Sequence, residues 1–225
     1  MAAVERARIQ GEQEYGTTIF WIVDAVRQFG LEDAAVVLSK AVKLKETMPS
    51  IVGIGIGGNE EAGPVADFAE FFARAKKAGL RVTAHAGEAV PAFSIWDALS
   101  AGAERIGHGL TAVSDPELVK VLKQRQTPLE LCVTSNVCTG GIPSPRDHPV
   151  RTYFDNGLMI SLNTDDPPMF RTTLLNEYEL VQKEFGFSDE DMVKLARNSV
   201  QSSFLTETRK RNLLHELDNF LSSKT

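Results

Sequence analysis

The chain has 225 residues, 43% of them hydrophobic and 24% charged, which is enough for one large core. Its net charge of −6 comes from interleaved acids and bases, so neither the basic stripe of a nucleic-acid binder nor a long acidic tail is present. Apolar stretches are strand-sized and broken by glycine or polar residues, and Met1 to Arg8 lack the apolar centre of a signal peptide. A single domain over residues 1–225 is expected, in the cytoplasm by default, with neither nucleic acid nor membrane as partner.

Short β-branched runs alternate with helical patterns along the chain. Six strands are predicted: Thr17 to Val23, Ile51 to Ile56, Arg81 to Ala84, Arg105 to Gly107, Leu129 to Thr134 and Leu158 to Leu162. Between the first two, Leu31, Ala35, Leu38, Val42 and Leu44 recur at helical spacing. A helix opens at Pro64 and stops at Gly79, and Asp115-Pro116 reads as an N-cap with a first-turn proline. After the sixth strand come helices over Leu174 to Phe185, Ser188 to Ser199 and Thr206 to Leu221, the second with a capping serine and acids in its first turn. Strand–helix alternation with nearly continuous apolar strands predicts a parallel sheet covered by helices. The glycines of Gly53 to Gly58 lie within and just after a strand and lack the downstream acid of a dinucleotide site. A TIM-type (β/α) barrel fits better, although the chain is two strands short of the usual eight. Cys132 and Cys138 lack metal-knuckle or redox spacing and are expected as buried free thiols.

The chemistry collects at strand ends, where ligands and catalytic groups gather in parallel α/β proteins. Thr83-Ala84-His85-Ala86-Gly87-Glu88 ends one strand, Arg105-Ile106-Gly107-His108-Gly109 another, and Leu162-Asn163-Thr164-Asp165-Asp166-Pro167 a third. Histidines and carboxylates so placed suggest a metal hydrolase. A catalytic zinc usually takes three protein ligands plus water, and only two are evident here. Asp165 and Asp166 are expected to point apart along an extended chain, with Pro167 holding Asp166 extended. Taken singly, a histidine after a strand is more often structural than a ligand. His215, in the charged terminal helix, reads as solvated.

In order along the chain, these segments resemble the signatures of the adenosine deaminase family. Val52 to Glu60 is similar to its preceding strand and loop, and Asn198 to Phe204 to its C-terminal helix. The resemblance implies a zinc-dependent deaminase of adenosine or a related purine nucleoside. It implies His85 and Asp165 as zinc ligands, Glu88 as proton shuttle, and His108 as the group that orients and deprotonates water. Asp166 and the Gly58 backbone would bind the purine, and His148 would take a structural place at a helix start, outside the site. Two departures stand out. Gly55 occupies the place of a family aspartate, and no His-x-His precedes His85, so two zinc ligands are expected from an N-terminal segment absent from this sequence. Self-association or a complementing chain is therefore expected. The alternative is a non-catalytic interaction module of the same fold.

Overall fold

The computed structural model describes residues 2–223. Six strands, β1 (Trp21–Val26), β2 (Ile51–Gly57), β3 (Arg81–Ala86), β4 (Arg105–His108), β5 (Leu129–Leu131) and β6 (Ile160–Leu162), form one parallel sheet. Each pairs with the next in sequence, and a doubly wound sheet would instead reverse order at a switch point. The arrangement is the arc of an incomplete TIM-type barrel, as expected, with β1 and β6 at its edges.

Eleven α-helices accompany the strands among the described residues. They are α1 (Ala2–Tyr15), α2 (Gly30–Lys45), α3 (Ala69–Lys77), α4 (Phe93–Ala101), α5 (Pro116–Arg125), α6 (Val133–Cys138), α7 (Val150–Asp155), α8 (Pro167–Phe170), α9 (Leu174–Phe185), α10 (Asp189–Ser202) and α11 (Glu207–Ser222). The predicted caps form: Asp115 accepts from the Glu117 and Leu118 N–H groups, and Ser188 and Asp191 make a reciprocal capping box. No helix among the described residues is long and apolar enough to cross a membrane.

The two faces of the sheet differ in chemistry. Ile54, Ile56, Val82, Ala84, Ile106, Leu129, Leu131, Ile160 and Leu162 are buried, and helices including α2, α3, α4 and α10 pack against their strands. Each large side chain so buried contributes roughly 1.5–3 kcal/mol. On the other face the register aligns Asp24, Gly55, Thr83 and Arg105 across β1 to β4, and Gly107, Glu130 and Ser161 across β4 to β6. Arg105 Nη2 lies 2.7 Å from Glu130 Oε1, and Thr83 Oγ1 donates to Glu130 Oε2 at 3.1 Å. At the amino end the Arg81 and Arg105 guanidinium groups stack on Phe204, 4.5 and 4.0 Å from its ring centroid. Asn198 holds α10 to the sheet by donating to the Ile160 carbonyl.

Three expectations need correction. The first strand is Trp21–Val26 rather than Thr17 to Val23. Asp24 can lie within it because its side chain faces the polar interior. The fifth strand stops at Leu131, and Val133–Cys138 turns into α6. Cys138, on that helix, is exposed, whereas Cys132 is buried as expected. Helix α1 had no counterpart in the sequence reading because it buries no residue. It docks through polar contacts, with Glu5 accepting from Trp21 Nε1 and Ser50 Oγ.

Candidate active site

Three strand ends turn sharply to bring the polar groups together. After β3, Gly87 has φ +70°, and a Cβ there would lie 2.6 Å from Ile95 and 2.7 Å from Thr111, so the turn that delivers Glu88 requires glycine. His108 at the end of β4 and Asp165 after β6 have φ of 63° and 56°. Left-handed backbone at a non-glycine residue costs about 1–3 kcal/mol and persists where surrounding structure enforces it. Asp165 therefore does not follow the extended alternation expected of it. The turn at Asp165, not strand pleating, separates the two carboxylates. Asp166 stands exposed as the N-cap residue of α8, its carbonyl accepting from Met169 and Phe170 N–H groups.

The His85 ring fits between two glycines: Cβ atoms at Gly57 and Gly107 would each lie 3.4 Å from it. Its Nδ1 is 3.1 Å from the Ile56 carbonyl. A carbonyl can only accept, so Nδ1 carries a hydrogen, and in the neutral ring Nε2 is the nitrogen with the lone pair. The His108 ring lies 5.0 Å from that of His85, centroid to centroid. Its Nδ1 is 3.2 Å from Asn136 Nδ2, and its Nε2 is 3.4 Å from Glu88 Oε2 and 4.0 Å from Asp165 Oδ2. Glu88 Oε1 accepts from Asn136 Nδ2 at 3.4 Å and Thr139 Oγ1 at 3.3 Å, while Ser135 Oγ donates to Asp165 Oδ2 at 2.7 Å. Helix α6 and the residue after it thus hold three of the polar groups in place.

Burial pushes the Glu88 carboxyl above the usual carboxylate range. His85 opposes this shift, and Asp165 and Glu60 reinforce it. Burial, aided by His85, pulls His108 down to about 4 against the nearby carboxylates. At neutral pH the imidazole is uncharged. His148, outside the cluster, accepts from Val150 N–H through Nδ1 at the start of α7, as its helix-start reading anticipated.

Two cavities meet this cluster. One, of about 560 Å³, is lined by His85, His108, Asp165, Cys132 and Glu130 among others. The other, of about 540 Å³, is lined by Gly58, Asn59, Glu60, Glu88, Thr111 and Thr139 among others, with no lysine or arginine. Five of the six predicted site residues therefore line one cavity or the other, while Asp166 lines neither. Gly58 has φ +91°, and a Cβ there would strike Gln28 Oε1 at 2.2 Å.

Two donor sets could hold a metal ion. Among the described residues, donor atoms of His108, Cys132 and Asp165 lie within 4.8 Å of one another, a group that excludes His85. His108, however, already has a partner at each ring nitrogen, and burial pushes the Cys132 thiol well above its ordinary range. His85 has a free Nε2 and a carbonyl fixing its tautomer, the arrangement typical of a metal-ligating histidine. Sequence reasoning missed Ser135, Asn136 and Thr139, whose signal was a polar run directly after a strand. It also missed Asp24, whose Oδ1 would lie 2.2 Å from a Cβ at Gly55. The bare glycine admits that carboxylate from the neighbouring strand.

Comparison with known proteins places this geometry. Residues 1–220 match the family described as Adenosine deaminase. The chain is 38% identical over 224 residues to an aminodeoxyfutalosine deaminase of Streptomyces avermitilis, covering 99% of this chain and 63% of that protein. It is 40% identical over 215 residues to an adenine deaminase of Rhizobium leguminosarum bv. trifolii, covering 95% and 65%. The crystal structure of an adenine deaminase from Arthrobacter aurescens superposes with a TM-score of 0.86 at 32% identity, covering 97% of this chain and 66% of that one. The chain thus spans less than two thirds of the curated relatives it matches.

Proposed function

Because the chain belongs to the adenosine deaminase family, we propose that its 225 residues act as one catalytic domain for hydrolytic deamination of a 6-aminopurine nucleoside. The observation that carries this reading is the contact between a Glu88 carboxyl of raised pKa and a neutral His108, beside Asp165. A carboxyl whose protonated form is favoured by burial can deliver its proton to the purine ring. A neutral imidazole at the same place can orient water, and it accepts water's proton on Nε2 when the Asn136 amide turns its oxygen to Nδ1. Groups so placed contribute about 10²–10⁴-fold each to proton-transfer chemistry. Water adds to the amino-bearing carbon, the ring nitrogen takes the Glu88 proton, and ammonia leaves once a proton reaches the amino group. The Gly58 N–H and the Asp166 carboxylate would bind the purine edge.

The donor chemistry of His85 and Asp165 suits a zinc ion. His85 Nε2 and the Asp165 carboxylate would hold it, a nitrogen and an oxygen of the types zinc takes. The chemistry it supplies is the acidification of water from a pKa of about 15.7 to about 7. The other histidines do not complete the set, since His148 is buried under α7 and His215 is exposed on α11. Further donors would be water or a segment carrying His-x-His, in this polypeptide or a partner. The cavity beside Glu88 is lined by no lysine or arginine, and in the cavity beside His85 the Arg105 guanidinium is paired with Glu130, which favours a base or nucleoside over a nucleotide.

The test supplies the chain with zinc, with and without a His-x-His-bearing segment. Adenosine, adenine, aminodeoxyfutalosine and AMP are offered, and ammonia release and loss of the aminopurine absorbance are followed. Turnover of an uncharged aminopurine, lost in Glu88→Gln, is the expected result. No turnover in any arm with zinc bound would favour the non-catalytic module.

A further inference from the structure

Two buried charged residues that the proposed chemistry does not use grip the segment carrying His85 and Glu88. Glu60 is 5% exposed, and its Oε2 accepts from three consecutive N–H groups, those of Glu88 (3.0 Å), Ala89 (2.6 Å) and Val90 (3.1 Å). Arg27 is 2% exposed, with Nη2 donating to the His85 carbonyl and Nη1 to the Gly63 carbonyl at 3.2 Å. The opposite charges of the two residues attract each other, which supports keeping the guanidinium ionised against burial.

Local sequence builds both grips. Asn59 caps the short turn Glu60–Ala62 by accepting from Glu61 N–H, fixing Glu60 just past β2. Gly63 lets the chain approach Arg27 closely, since a Cβ there would lie 3.2 Å from both the Arg27 Cβ and its carbonyl oxygen. Arg27 itself follows β1 directly. Three neighbouring strand ends therefore meet at one turn. Arg27 holds the carbonyl where the turn leaves His85, and Glu60 holds the N–H where it reaches Glu88. Burying two charges costs free energy unless they are hydrogen-bonded, and here both are spent on main-chain groups of the six-residue segment 85–90, with Gly63 as a second acceptor for Arg27.

We propose that Arg27 and Glu60 are positioning residues that set the separation between His85 and Glu88, and with it the placement of proton-transfer group against metal donor. This inference rests on the reading of Glu88 and His85 given above for its catalytic meaning, though not for its structural content. The two ends should respond differently. Loosening Glu60 should free Glu88 and lower kcat with little change in KM or zinc affinity. Loosening Arg27 should free His85 and weaken zinc binding.

The decisive experiment is amide hydrogen exchange on the zinc-free chain, which requires no activity. Charge-assisted hydrogen bonds of about 1.5–3 kcal/mol make roughly tenfold or greater acceleration the expectation at Glu88, Ala89 and Val90 in Glu60→Gln. Amides of β4 and β6 should keep their protection, and Glu60→Asp, which retains the charge, should restore part of the loss. Arg27→Lys, read by zinc titration in the same chain, tests the other end. Wild-type exchange at residues 88–90 in Glu60→Gln would overturn the proposal, as would equal acceleration throughout the sheet. If Glu60→Gln fails to fold, Glu60→Asp and Arg27→Lys carry the same comparison. Localised acceleration without any deamination in the wild type would uphold the grip and sink only the catalytic reading.

Discussion

The outer and inner faces of the sheet obey different rules. On the outer face Ile54, Val82, Ile106, Leu129 and Ile160 lie against helices and could be exchanged for other apolar residues of similar volume at modest cost. On the inner face Thr83, Arg105 and Glu130 pair across strands beside the polar side chains of Asp24 and Ser161, and glycines 55, 57 and 107 make room for neighbouring side chains. One face supplies stability and the other is shaped for binding and chemistry. Substitutions on the two should therefore separate into losses of stability and losses of activity.

The largest separation is expected at Glu88→Gln. Removing the proton-transfer group should lower turnover by about 10²–10⁴-fold while leaving the urea midpoint nearly unchanged. Steady-state rates and denaturation on one preparation check both halves, and a large loss of stability would place Glu88 among the structural residues. On the outer face Ile106→Ala should do the reverse, costing about 2–5 kcal/mol of unfolding free energy with zinc affinity retained.

A smaller effect sharpens the contrast through pH. Buried His148 has its pKa pulled down to about 3, and its Nδ1 accepts the Val150 N–H, so protonation would break the cap of α7. Its unfolded value is about 6.5. Between those values the unfolded chain binds a proton that the folded chain refuses, so stability falls as pH drops below about 6.5. At pH 5 the loss from this residue should be about 2 kcal/mol. Urea unfolding of the wild type and His148→Asn at pH 7.5 and 5 measures it, and equal pH dependence in both would remove His148 from the account. Smallest of all, Lys120→Ala on the solvent side of α5 breaks only an exposed pair with Glu117 and should shift stability by less than about 0.5 kcal/mol.

The same contrast explains what the sequence disclosed. Nearly continuous β-branched runs between helical patterns mark the apolar face directly, which is why six strands were readable. The inner face follows no hydrophobic rule. Asp24 looked like the end of β1 because a charge inside a strand is unusual, yet the open interior accommodates it. Val133 and Thr134 read as strand by their branching, whereas the fold turns them into α6 so that Ser135 and Asn136 reach Asp165, His108 and Glu88. His85, Glu88, His108 and Asp165 were legible because chemistry at strand ends is a positional signal. Their supports were not, because a hydrogen-bond partner from a distant segment leaves no spacing to read. Asp166 was placed by pleating, and the left-handed turn at Asp165 carries it to the rim instead.

His85 and Asp165, rather than the tighter group with Cys132, are the proposed donors to zinc. Zinc titration by competition with a chelating dye, run on the wild type, His85→Ala, Asp165→Ala and Cys132→Ala, tests this assignment without requiring turnover. Binding should weaken sharply in the first two variants and stay unchanged in Cys132→Ala. Zinc bound normally by His85→Ala but lost in Cys132→Ala would contradict it and hand the metal to His108, Cys132 and Asp165.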